Sequence, residues 1–244
     1  VSYLTRAGSQ SRTDGATALC VLLGGHSIDV ANVGDTRAVL GRRPAVPPSH
    51  ARSMRMRECE AVRLSVDHKP NLPDEVRRVT ANGGDVKRIQ GTWRVLGPVR
   101  TGVGAPRGAS GRTTRTMLSI SRAFGDLELK NAFGAGAPLI SVVPHVSRIE
   151  LSARDEFLIL ASDGLWDYVS DAEAVRIVSD IARGCDTREA GLVGQLVQEA
   201  ADALAQTAIK IGGAGSDNVT VLVIFWDWKA SPPSECGTCG DGKH

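Results

Sequence analysis

Residues 155–171 read DEFLILASDGLWDYVSD. Phe157, Leu158, Ile159, Leu160 and Ala161 form an unbroken apolar run that stops at Ser162-Asp163-Gly164. A short apolar run closed by Asp-Gly reads as a buried strand followed by a turn. Ser170 stands three residues before Glu173, the spacing of a capping box, so a helix opens there. The strand therefore delivers Asp163 to a sheet edge with a helix close behind. Two readings of Asp163 stand side by side. It is an ordinary residue of an Asp-Gly turn, or it is a carboxylate held rigidly for a hard metal ion.

A second acid bears on that choice. Asp217 and Asn218 lead into Val221-Leu222-Val223-Ile224-Phe225, another apolar run. Asp163 ends one buried strand and Asp217 begins another. If the two strands are antiparallel neighbours, both carboxylates lie on one edge of the sheet and could share a divalent cation. If the strands are not neighbours, the two acids meet nothing.

The rest of the composition sets bounds. At 244 residues and 42% hydrophobic, the chain suits one domain with a sizeable core. Its 29 Lys and Arg against 27 Asp and Glu leave a net charge of +2, which makes no case for nucleic acid or an anionic membrane. No apolar run is long enough to span a bilayer. The five cysteines, Cys20, Cys59, Cys185, Cys236 and Cys239, are odd in number and scattered, which argues for a reducing compartment. Cys236 and Cys239 make a CxxC without a second pair, where a structural zinc site takes about four ligands. We expect an intracellular protein, in cytoplasm or nucleus, and a monomer.

In chain order, residues 1–12 are polar. Strands are expected at 18–23, 28–33 and 37–40, with Asp35 in the tight turn between the last two, as in an antiparallel meander. Residues 41–60 carry Pro44, Pro47, Pro48, Arg52, Arg55 and Arg57 and read as a basic surface loop. A strand at 61–65, a turn at 67–70, a short helix from Pro73 to the Gly83-Gly84 stop, and a strand at 85–89 follow. His68, in a turn beside Pro70, reads as a hydrogen-bonding structural residue. Residues 97–116 form a second insert, rich in glycine and arginine with no acid, expected to be irregular and mobile. No GxxxxGK[ST] phosphate loop occurs. Strands near 117–120 and 142–151, a helix to about residue 182, and a longer helix at about 187–210 complete the pattern. One domain is expected over 1–229, with a flexible tail at 230–244.

Taken together, DGATA (14–18), ANVGDTRAVL (31–40), DHKP (67–70), SRAFGD (121–126), the opening stretch and GSDN (215–218) resemble the motif series of the metal-dependent protein Ser/Thr phosphatases, the type 2C or PPM family, in the family's order. The resemblance implies an α+β fold: a four-layer αββα sandwich of two antiparallel sheets flanked by helices. It implies two Mg²⁺ or Mn²⁺ ions, with a third in some members, and water attacking phosphoserine or phosphothreonine in proteins. By resemblance, Asp163 and Asp217 match metal ligands, and Asp35 matches a ligand of the third ion. Thr17 and Asn218 would support the ligands from behind, and Arg122 and Asp126 would have structural roles behind the site.

One departure stands out. The family places an Asp-Gly-His-Gly motif and an arginine upstream of the segment that matches 14–18. Together these supply a carboxylate bridging both metals, a general-acid histidine and a phosphate-binding arginine. No such motif precedes Asp14. The expectation is therefore an N-terminally incomplete catalytic domain that lacks its first strands and turns over negligibly by itself. The alternative is an inactive phosphatase-like binding module, although an inactive module would not need Asp35, Asp163 and Asp217.

Overall fold

The computed structural model describes residues 14–45, 59–101, 113–130, 137–184, 190–215 and 217–226. The continuous apolar run of the opening stretch forms strand β11 (Asp155–Ala161), whose two neighbours are β4 (Arg37–Arg42) and β12 (Val221–Phe225), both antiparallel to it. With β5 (Glu60–Arg63) they make a four-stranded sheet in the order β12-β11-β4-β5. A second sheet has the order β10-β3-β2, from β2 (Ala18–Leu23), β3 (Ser27–Val33) and β10 (His145–Glu150).

Central position explains why β11 is apolar on both faces. On one face Leu158 packs with Ala38 and Leu40 of β4 against Ile28 and Val30 of β3, filling the space between the sheets. On the other face Phe157 and Ile159 meet two helices, α4 (Asp171–Gly184) and α5 (Ala190–Gly212), through Val175, Val178, Ala200 and Leu204. Every one of these side chains is essentially fully buried, the condition under which apolar area contributes most. The expected α+β sandwich of two antiparallel sheets with helices is formed. On the outer face of the three-stranded sheet, Leu22 is 66% and Val146 62% exposed.

A third core region joins helix α1 (Pro73–Ala81) to a separate antiparallel sheet, β6 (Asp85–Ile89), β7 (Thr92–Thr101) and β8 (Thr113–Leu118). Val79, Val95, Leu139, Ile140 and, from the short helix α2 (Leu127–Lys130), Leu129 fill it. The ends of β7 and β8 correct the reading of 97–116 as irregular, because residues 99–101 pair with 113–115, beyond a register shift at 97–98. Only Gly97 of the insert's five glycines lies in these described ends, where cross-strand pairing sets the backbone. Likewise Gly41 and Arg42 finish β4, and Glu60 begins β5, so the basic segment is shorter than 41–60. Its centre, the tail at 230–244, the CxxC and residues 1–12 lie outside the described residues. Among the described residues no helix is long and apolar enough to cross a membrane.

Candidate metal centre

The register of the four-stranded sheet brings the predicted acids together. Ala161 of β11 faces Arg37 of β4 on one side and Val221 of β12 on the other. Continued past the strand ends, the same register sets Asp163 level with Asp35 and next to the segment entering β12. Asp217 lies in that segment. Asp35, Asp163 and Asp217 therefore occupy one edge of one sheet, each just outside a strand, as the antiparallel arrangement requires.

Each acid is held by local structure. Asp163 begins a one-turn helix, α3 (Asp163–Trp166), and the indole N–H of Trp166 donates to the carbonyl of Ala161 at 3.0 Å, pinning that turn to the end of β11. The Ser162 hydroxyl donates to the Asn218 carbonyl at 3.2 Å and accepts the Thr220 N–H at 3.1 Å, tying the two strand ends together. The Asp35 turn is built by Asn32, fully buried, whose amide donates to the carbonyls of Gly34, Thr36 and Val66. Gly34 turns at φ +109°, and a β-carbon there would lie 2.2 Å from Thr17 Cγ2, so Thr17 packs directly behind the turn.

The structure gives a place at this edge to two residues of the quoted motifs that had been assigned no role. Lys69 donates from Nζ to Asp35 Oδ2 at 2.6 Å and stands 3.7 Å from Asp167 Oδ1. Asp167 follows Asp163 by one helical turn, a spacing that puts both on one face and could have been read from the sequence. Burial, and then the carboxylates of Asp35 and Asp167, push the Asp163 carboxyl above its usual range; Lys69 opposes this and Asp217 adds to it. Burial opposes charge on Lys69 as well. The bond to Asp35 and the fields of Asp35, Asp167 and Asp163 outweigh it and hold the ammonium above its ordinary range.

Behind the edge lies a charged scaffold. Arg37 pairs with Asp67 through Nε and Nη2 and with Asp171 at 2.6 Å, and its guanidinium lies 5.0 Å from the Trp166 ring centroid. His68 is 1% exposed and its Nδ1 accepts the Gly34 N–H at 3.1 Å, in keeping with a structural role. Arg122 does not reach the acids. It pairs with buried Glu75 at 2.6 Å and donates to the Val143 carbonyl. Arg78 completes that cluster from α1. Burial raises the Glu75 carboxyl, but hydrogen bonds from Arg122, Arg78 and Ser121 bring it down to about 2. Asp126 is also apart from the acids: it is buried at φ +48°, with its carboxylate against Gly15, and β1 (Gly15–Ala16) pairs with β9 (Phe124–Gly125) beside it. Asn218 is exposed, and its N–H donates to Asp217 Oδ1.

The donors suit a hard divalent cation. They are carboxylate oxygens, and their mutual repulsion is partly offset by the Lys69 ammonium, which pairs with Asp35. Among the described residues, no three His, Cys, Asp or Glu side chains converge into a ready-made metal cluster. The acids are within electrostatic range of one another but short of mutual coordination.

Comparison with known proteins agrees with this geometry. The model of the protein phosphatase 2C family matches residues 3–217. The chain is 37% identical over 227 residues to probable protein phosphatase 2C 34 of Arabidopsis thaliana, covering 92% of this chain and 53% of that protein. It is 35% identical over 220 residues to probable protein phosphatase 2C 8 of Oryza sativa subsp. japonica, covering 89% and 44%. The chain thus spans about half the length of the curated relatives it matches. Its fold is similar to that of a serine-threonine phosphatase 2C from Toxoplasma gondii, with a TM-score of 0.64 at 24% identity, covering 89% of this chain and 60% of that one. A C. elegans sex determining protein gives a TM-score of 0.63 at 22% identity, covering 92% and 43%. With the acids of its motifs gathered on one sheet edge and the family model matched along most of its length, this chain belongs to the protein phosphatase 2C family.

Proposed function

We propose that the protein containing this chain hydrolyses phosphoserine and phosphothreonine monoesters in protein substrates with the help of Mg²⁺ or Mn²⁺. The observation that carries this reading is the alignment of Asp35, Asp163 and Asp217 on one edge of the four-stranded sheet. Asp163 and Asp217 would hold the ions of the main site, and Asp35 and Asp163 a third. Such ions, when bound, lower the pKa of water and neutralise phosphoryl oxygens.

The chain's own residues supply placement. The Ser162 bridge and the Trp166 bond hold Asp163 at a set distance from the β12 entry. Asn32 and Thr17 hold the Asp35 turn from behind. The Arg37 hub joins that turn to the 67–70 turn and to the start of α4. Rigid placement of this kind lets a site act without reorganising during the reaction. Substrate is a phosphoprotein in this reading, and the acting species a monomer.

The test is Mn²⁺-dependent release of phosphate from a phosphothreonine peptide by the full-length gene product that contains residues 1–244. Asp163→Ala is expected to lower the rate by about a hundredfold or more. Equal rates in parent and variant would remove Asp163 from the site.

A further inference from the structure

We propose that Lys69 is a built-in counter-ion that competes with divalent cations for Asp35, and so sets how tightly the carboxylate edge binds metal. This rests on the reading that the edge takes a divalent cation.

Placement is the first argument. Lys69 lies in a turn whose main chain is bonded on both sides: its N–H donates to the Asp67 carbonyl at 2.9 Å, and its carbonyl accepts the Leu72 N–H at 3.2 Å. The stem is thereby aimed at the acids rather than free to sweep the surface. The Asp35 side chain is 6% exposed and that of Lys69 34% exposed, so the ammonium covers Asp35 on the solvent side. Its Nζ is 2.6 Å from Asp35 Oδ2 and 3.7 Å from Asp167 Oδ1.

Charge is the second. A divalent cation bound to the same Asp35 oxygen at about 2.1 Å would stand within about 5 Å of the Lys69 nitrogen, too close for two like charges at a half-buried position. One must leave. The long, flexible lysine stem lets the ammonium withdraw without moving the backbone. In the metal-free protein the same ammonium offsets repulsion among Asp35, Asp163 and Asp167, so it stabilises the state that metal would replace. Lys69 thus costs metal affinity and supports the unloaded fold.

The experiment is a Mn²⁺ titration followed by the electron-spin-resonance signal of free Mn²⁺, without substrate, on the full-length product and its variants. Lys69→Met is expected to bind Mn²⁺ about tenfold more tightly, and Lys69→Gln similarly. Lys69→Arg keeps the charge and is expected to stay near the parent. Adding Asp35→Asn to Lys69→Met should abolish the gain. The metal-free melting temperature of Lys69→Met should fall below that of the parent and recover with Mn²⁺. Equal Mn²⁺ affinity in parent, Lys69→Met and Lys69→Gln, all folded by circular dichroism, overturns the proposal. So does a gain that survives Asp35→Asn. Because no phosphate release is measured, a missing phosphatase activity would refute the function above without touching this result.

Discussion

Gly164 stands so close to Asn218 that a β-carbon on it would lie 2.3 Å from the Asn218 carbonyl oxygen. The contact is between main chains, one following Asp163 and the other following Asp217. It sits beside the Ser162 bridge between the same two segments. The glycine after Asp163 is therefore required by close approach of backbones, as well as by the turn that Asp-Gly suggests.

A side chain at this position should separate the two acids. Gly164→Ala is expected to cost about 2 kcal/mol of stability, because the obstructing atom is a carbonyl oxygen of the backbone and cannot rotate away. Urea unfolding measures this. Mn²⁺ affinity of the folded variant should fall as well. A variant as stable as the parent would show that the two segments are not held together as described.

Arg37 should be among the costliest single charges to remove. Its side chain is 11% exposed and those of its partners Asp67 and Asp171 are 10% and 18% exposed. Arg37→Met would leave Asp67 without its cation and Asp171 with Arg63 alone, at an expected cost of about 3 kcal/mol. Arg37→Lys should recover little, since one ammonium cannot span both carboxylates as the planar guanidinium does. Chemical denaturation of the three proteins orders them.

Acid should destabilise the protein in two steps with opposite chemistry. Burial, and then the Arg122 cation, push the His68 imidazole down to about 4. With Nδ1 accepting the Gly34 N–H, the neutral ring carries its proton on Nε2, which has no hydrogen-bond partner among the described residues, so acid adds the second proton at Nδ1 and displaces that bond. An unfolded histidine titrates near 6.5, so between these values the unfolded chain binds more protons. Stability from His68 is complete above about pH 6.5 and is lost as pH falls through 4, by about 3 kcal/mol at most. Glu75, held at about 2, adds stability above about pH 4.5 that is lost as pH falls toward 2. Urea midpoints between pH 7.5 and 4.5 should fall more steeply in the parent than in His68→Asn. Parallel curves would contradict the His68 assignment.

Phe157 tests the core that carries Asp163. It is fully buried between the sheet and the helices, 5.4 Å from the Phe225 ring centroid. Phe157→Ala is expected to cost about 4 kcal/mol, and Phe157→Leu less, because leucine leaves a smaller cavity. Unfolding free energies of the two variants check the order.

Much of this organisation is legible in the amino-acid order. The run 157–161 reads as a buried strand, and it lies inside the four-stranded sheet, paired on both sides. The Ser170 capping signal was also real: the Glu173 N–H donates to the Ser170 hydroxyl at 3.2 Å. The reading of the whole insert 97–116 as irregular failed at 99–101 and 113–115, because a strand is stabilised by its partner, which no local pattern records. Arg122 and Asp126 carry motif spacing, yet they face Glu75 and Gly15 rather than the acids.

By itself the sequence determined which acids end or begin buried strands, since apolar runs and Asp-Gly breaks are local features of the chain. Only the tertiary structure decided that β11 and β12 are neighbours, that Asp163 therefore shares an edge with Asp217 and Asp35, and that Lys69 pairs with Asp35 there. The physical reason is separation along the chain. Arg37 and Asp171 are 134 residues apart and Lys69 and Asp35 are 34 apart, and such ion pairs exist only once sheet register has brought their strands together.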